Sequence, residues 1–229
     1  MSETVAQRIA RIVGEKIVSG ELAPGATLRQ DHIGNEFGAS HVPAREALQL
    51  LRAQGLVISL PRRGMRVSPI DPASIQETIE IRAALETLAL RLAAPKMNAT
   101  SFERIELALV ACDMTENIVD WETANRAFHR ELVSACRMPR LLTMLDDLQL
   151  AISRIIFSAS RSGGWRPGSS TGHRQIVDAL KKGDHHTAVA LLDAHIRGLE
   201  RATAESKLAL NTRPSGPPLP LKKFPAHKT

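Results

Sequence analysis

The sequence predicts a mainly α-helical chain: a small N-terminal unit of helices closed by one β-hairpin, followed by an all-α bundle of six helices. Three observations predict it. The stretch from Phe37 to Leu48 reads as a tight turn leading into an amphipathic helix. Soon after it, Val57–Ser59 and Met65–Val67 can pair as strands around a turn supplied by Gly64. From Pro72 onward, apolar residues recur at helical spacing. The 229 residues are 43% hydrophobic but only 3% aromatic with no Tyr, so the core must be built from Leu, Ile, Val and Ala.

Each element has a local reason. Ile9, Ile12 and Ile17 mark a first helix, and a Pro24-Gly25 turn follows it. Phe37 closes a second apolar helix, and Gly38 permits the chain reversal. Ser40 is expected to cap the next helix with its side-chain oxygen, and Pro43 sits in the first turn, where a missing N–H costs little. That helix, Ser40 to Gln54, sets Ala44, Leu48 and Leu51 on one face and leaves Ser40, His41 and Arg45 on or near the other. An exposed, polar, basic helix start suits the major groove of DNA. Asp71 and Pro72 cap and open a new helix, in which Ile81, Leu85, Leu88 and Leu92 step by 4, 3 and 4 as a core face. Further helices are expected from Phe102 to Thr115 and from Trp121 to Cys136. Past the break at Pro139, a long one carries Leu141, Leu145, Leu148, Ile152, Ile155 and Ile156. A glycine-rich loop at 162–168 leads to a fifth helix, Ser170 to Lys181. Gly183-Asp184 turns into a sixth, His185 to Leu208.

The domain organisation follows: 1–69 the N-terminal unit, 70–73 a linker, 74–210 the helical bundle, and 211–229 a disordered Pro-rich basic tail. The formal charge of +6 is uneven, with +3 in residues 1–69, +4 in 211–229 and −1 between them. A basic N-terminal unit fits contact with phosphate; the balanced bulk does not. No stretch is long and apolar enough to span a membrane, and the N-terminus has no secretory pattern. Cys112 and Cys136 make no disulfide framework and read as buried small hydrophobes, so a cytoplasmic protein is expected.

The order of motifs over residues 4–68 resembles the winged helix-turn-helix of GntR-type transcriptional regulators. The resemblance rests on Ser19-Gly20-Glu21-Leu22-Ala23-Pro24-Gly25, the Phe37–Leu48 stretch, Gly55-Leu56-Val57 and Pro61-Arg62-Arg63-Gly64-Met65-Arg66-Val67. It implies that the Ser40–Gln54 helix reads double-stranded operator DNA and that Arg62-Arg63-Gly64 tips a wing. The DNA-contacting set so implied is Arg29, Ser40, His41, Val42, Pro43, Arg45, Gln49, Arg62, Arg63, Gly64 and Arg66.

The second part resembles the FadR C-terminal (FCD) ligand-sensing domain, over about residues 74–205. The residues that carry this are Ile81-Arg82-Ala83-Ala84-Leu85-Glu86, Phe128-His129, and His173 through Gly183-Asp184 to His195. Asn125 and His129 lie one turn apart on one helix face, and a tight turn should bring His173 and His195 together. The resemblance implies that His129, His173 and His195 hold a divalent metal with a carboxylate one turn before the first histidine. Here that position is Asn125. An amide oxygen can coordinate without bringing charge, so affinity should fall below that of an aspartate site, and Asn125→Asp should raise it. Zinc, nickel and manganese are not distinguished by these ligands. Arg82 is expected to clamp an effector and Arg154 to assist it; the plainer alternative for Arg82 is a surface ion pair with Glu86, four residues on.

Together these readings describe a DNA-binding regulator, not an enzyme, acting as a homodimer and repressing until a small carboxylate binds the bundle. The alternative is a metal-dependent hydrolase-like enzyme on the helical domain, since three histidines with an open metal position also occur in hydrolases. No carboxylate near His129 is well placed for general-base work.

Overall fold

The computed structural model describes residues 3–61, 64–115, 117–161 and 170–210, with side chains as far as Gly198. Arg62 and Arg63, the loop at 162–168 and the tail at 211–229 lie outside the described residues. The fold is mainly helical, as predicted, with a winged helix-turn-helix followed by helices α4 to α9.

Helix α1, Val5–Ser19, opens with a reciprocal cap: Thr4 accepts from the Gln7 backbone and the Gln7 side chain accepts from Thr4. Helices α2, Gln30–Phe37, and α3, His41–Ala53, meet at a sharp reversal through Gly38 (φ 60°). The reversal also needs Gly34, where an added Cβ would lie 2.8 Å from the carbonyl oxygen of Ala39. Ser40 precedes α3 as expected, but its side chain makes no capping bond. The reason is local: the third residue of the helix is Pro43, so the N–H that such a side chain commonly reaches does not exist.

Strands β1, Thr27–Leu28, β2, Val57–Leu60, and β3, Gly64–Val67, form an antiparallel sheet in the order β1-β3-β2. Val57 faces Val67 and Leu60 faces Gly64, so the expected hairpin forms with Gly64 (φ 72°) at its turn. The short third strand, β1, had no signal in the pattern; Ala26 and Gly25 pair with Val67 and draw it in. Ile9, Val13, Ile17, Ala44, Leu48, Leu51, Leu56 and Val67 make a continuous core under this unit.

The second core lies among α4, Pro72–Ala93, α5, Ala99–Met114, α6, Ile118–Ser134, α7, Pro139–Arg161, α8, Thr171–Lys181, and α9, His185–Leu210. Asp71 caps α4 by accepting from Ser74 N–H at 3.0 Å. The core face expected on α4 needs correction. Ile81 and Leu88 are substantially exposed, and the buried face runs through Ile75, Ile79, Arg82, Ala83, Glu86, Ala89 and Leu90. An apolar-only pattern mis-assigns this helix because two of its inward residues are charged.

Helix α7 joins the two units. Leu150 and Phe157 pack on the N-terminal core, the Arg154 guanidinium donates to the Ser68 carbonyl, and the Arg161 guanidinium to the Ser19 carbonyl. Among the described residues no helix is long and apolar enough to cross a membrane.

Gly34→Ala should strain the α2–α3 turn, because the neighbour it meets is backbone and cannot rotate away. A loss of about 1–3 kcal/mol is expected, read by chemical denaturation with a probe in the N-terminal unit; unchanged stability would mean the turn relaxes freely.

Candidate functional site

Four helices converge on one buried polar centre. Helix α4 brings Arg82 and Glu86, α6 brings Asn125 and His129, α8 brings His173 and α9 brings His195. One potential ligand atom from each histidine lies within 4.8 Å of the others. The Nε2 atoms of His173 and His195 are 3.1 Å apart. His129 commits its Nδ1 to Glu86 Oε1 at 2.5 Å, which leaves Nε2 as its free nitrogen. Phe128 stacks on the His173 ring at 4.2 Å between centroids and fixes its plane. Gly172 makes room for His195, whose Nδ1 would lie 3.0 Å from a Cβ at that position.

Burial sets the charge states. It pushes His173 down to about 2 and His195 to about 3, with the neighbouring cations adding to the effect. His129 is also lowered by burial, and the Glu86 carboxylate only partly opposes this. All three imidazoles are therefore neutral at pH 7, the state in which they can donate a lone pair. Burial alone would raise Glu86, but the charge of Arg82 and the hydrogen bonds from His129 and Arg82 bring it to about 2. Arg82 Nε donates to Glu86 Oε2 at 2.8 Å, and this ion pair is buried, so Arg82 is not in a surface pair. Among the described residues its Nη2 has no hydrogen-bond partner although buried, as is true of His173 Nδ1.

A second buried carboxylate lies about two turns before His129 on α6, one turn before Asn125. Glu122, 1% exposed, accepts from Asn125 Nδ2 at 3.1 Å through Oε2. Its Oε1 accepts from the Ser153 hydroxyl and from Gln149 Nε2 on α7. Burial raises its pKa, and the Ser153 bond and the charges of Arg126 and Arg82 pull it back. Glu122 also lines a cleft of about 870 Å³ between the two units, with Thr123 and Arg126 on its side and Gln7, Arg11 and Leu50 opposite.

The expected site residues divide cleanly. His129, His173, His195 and Arg82 come together; Arg154 does not join them, because its guanidinium is spent on Ser68 at the junction of the units. On α3, His41, Val42, Arg45 and Gln49 are exposed, while Ala44, Ala47, Leu48 and Leu51 face the core. Ser40 is exposed and Pro43 half-buried beside them. Arg29 is exposed but forks onto Asp31, and Arg66 turns back to donate to the Gly25 carbonyl at 3.1 Å. Gly64 is exposed at the hairpin turn. Sequence reasoning missed the inward role of Glu86 and missed Glu122, Ser153 and Gln149 altogether. The i, i+4 spacing of Arg82 and Glu86 was a signal for their pairing, though not for its burial.

The chain matches the family described as bacterial regulatory proteins, gntR family, over residues 5–67, and the FCD domain over residues 77–198. A protein of Paenarthrobacter nicotinovorans named "Probable D-xylose utilization operon transcriptional repressor" is 32% identical over 209 residues, covering 89% of this chain and 90% of its own length. The transcriptional repressor RspR of Escherichia coli K12 is 24% identical, covering 89% and 91%. The solved E. coli McbR/YncC structure superposes with a TM-score of 0.77 at 19% identity, over 90% of this chain and all of that one. The chain belongs to the GntR family of bacterial transcriptional regulators and carries an FCD domain. It is a DNA-binding regulator and not an enzyme.

Because the three histidines are held neutral, the native state resists protons that the unfolded chain accepts. Between the ordinary imidazole value of 6.5 and the depressed folded values, stability must fall as pH falls. Melting in the presence of EDTA should show a lower Tm at pH 5 than at pH 7. A His173→Asn/His195→Asn variant should lose much of that slope. An equal slope in both proteins would assign the acid sensitivity elsewhere.

Proposed function

We propose that this regulator is a ligand-responsive repressor that works as a homodimer and senses a small carboxylate at the centre formed by Arg82, His129, His173 and His195. The observation that carries this reading is the convergence of three neutral imidazoles on one point beside a buried guanidinium nitrogen that has no partner among the described residues. An unpaired buried donor is costly, and an anionic ligand would satisfy it. The names of two relatives, both repressors, support the sign of regulation.

The donor set fits a divalent metal. Zinc–nitrogen bonds of about 2.0–2.1 Å place tetrahedral ligands roughly 3.4 Å apart, close to the 3.1 Å between His173 and His195 Nε2. Glu86 behind His129 is the kind of outer carboxylate that orients a metal-bound imidazole. His129, His173 and His195 would hold the ion, with Asn125 Oδ1 as a fourth donor. The ion would supply positive charge and an open position for the effector's carboxylate. Ligand type does not distinguish zinc, nickel and manganese. Arg82 would orient the carboxylate. The hydrolase alternative gains no support: both buried carboxylates, Glu86 and Glu122, are engaged and neither is free to activate water.

On the DNA side, Ser40, His41, Val42, Pro43, Arg45 and Gln49 would enter the major groove, with Val42 available for thymine methyl groups. Arg62, Arg63 and Gly64 would form the wing contact. Arg29 and Arg66 would contact phosphate only after leaving Asp31 and Gly25. Two copies would read two half-sites, and effector binding would favour one spacing of the paired α3 helices.

Arg45→Ala should cost about 1–3 kcal/mol of operator affinity without lowering Tm, since Arg45 is exposed. A gel shift equal to wild type would remove α3 as the reading helix. His195→Ala should lower metal content sharply in protein purified without chelator or affinity tag, abolish the thermal shift produced by carboxylates with metal, and leave DNA binding nearly intact. Equal, low metal in both proteins would remove the ion and leave Arg82 to hold the effector alone.

A further inference from the structure

Two neutral, buried side chains one turn apart on α6, His129 and Asn125, are each backed by a buried carboxylate. Glu86 accepts at His129 Nδ1 and Glu122 accepts at Asn125 Nδ2, with all four residues nearly inaccessible. The first arrangement orients an imidazole. The second does more, because it bears on which residue type position 125 can hold.

We infer that Glu122 is the residue that sets asparagine at position 125: it holds the amide by its NH₂ group, leaves the carbonyl oxygen as the donor for a metal, and supplies from behind the negative charge an aspartate would supply directly. The inference rests on the metal reading given above and concerns this chain's own residues. Asn125 Nδ2 is 3.1 Å from Glu122 Oε2. An aspartate in the same rotamer would put an oxygen there instead, and two carboxylate oxygens would face each other with no donor between them. Glu122 is not free to turn away, because Ser153 and Gln149 on α7 hold its other oxygen. Water screens the pair poorly, since Asn125 is 3% and Glu122 1% exposed. Like charges this close in a buried site strongly disfavour one another. The simple expectation that Asn125→Asp improves the site therefore fails here: the added charge lands against one already present. Glutamine at 122 would reverse the sign, because its Nε2 can donate to an aspartate at 125.

The test is a double-mutant cycle on the full chain with wild type, Asn125→Asp, Glu122→Gln and the double variant at pH 8. Two quantities are read: Tm with EDTA, and Zn²⁺ affinity by competition calorimetry. Asn125→Asp alone should lose at least about 4 °C in Tm and gain no zinc affinity. The double variant should recover the lost Tm and bind zinc roughly tenfold or more tightly than wild type. Should Asn125→Asp alone fail to fold, rescue of folding in the double variant would report the same coupling, and absence of rescue would overturn it. A merely space-filling Glu122 would give an additive cycle in both readouts, and additivity overturns the inference, as does Asn125→Asp binding zinc as tightly as the double variant. Zinc binding by none of the four proteins removes the metal reading itself, and the thermal cycle then decides the Glu122–Asn125 pairing on its own.

Discussion

The buried Glu86 carboxylate, clamped between the Arg82 guanidinium and the His129 ring, is the constraint around which the helical bundle is arranged. A charge placed at the centre of a small bundle is tolerated only when fully compensated. Arg82 supplies the compensation from the next turn of α4, and His129 adds an N–H from α6. Losing either partner would leave the carboxylate exposed to a low-dielectric interior. Burial keeps the neighbouring rings neutral, and the Arg82 charge acts in the same direction on His129, His173 and His195, with Glu86 partly opposing it at His129 and His195. The carboxylate thus ties α4 to α6 through His129, while Arg82 assists burial in keeping three imidazoles available as donors.

Much of this was legible in the sequence, and what was not has a physical cause. The helix-turn-helix could be read because its signals are local: Gly38 reverses the chain, Gly64 turns the hairpin, and Ala44, Leu48 and Leu51 repeat at helical spacing. The three histidines were identified through family resemblance, and the α8–α9 turn explains why two of them meet. Helix α4 was misread because its inward face carries Arg82 and Glu86, while Ile81 and Leu88 face outward. A period count of apolar residues cannot register a buried ion pair. Glu122 was invisible for a different reason: its partners Ser153 and Gln149 are 31 and 27 residues away on another helix, so only the packing of α6 on α7 brings them together. Arg154 looked like a ligand-binding residue on an apolar helix; its actual partner, Ser68, is 86 residues earlier.

Those same long-range bonds give the bundle a route to the N-terminal unit. Asn125 leans on Glu122, Glu122 on Ser153 and Gln149, and the helix that carries these two also sends Leu150 and Phe157 into the other core. Glu122 also borders the cleft between the units, so it touches both the polar centre and the junction. A change in how Asn125 is held would reach α7 through these bonds.

The bond from Arg154 to the Ser68 carbonyl gives that route a particular character. The guanidinium is buried and lies against the end of the chain segment that enters α4. Any swing of the winged unit about α7 would draw Ser68 away and strand a buried donor, at a cost of about 1–3 kcal/mol. Orientations partway along the swing would bear that cost without a replacement partner. The joint therefore behaves as a detent: the winged unit rests in this seat or leaves for another that offers Arg154 an acceptor, and gradual tilting between seats is disfavoured.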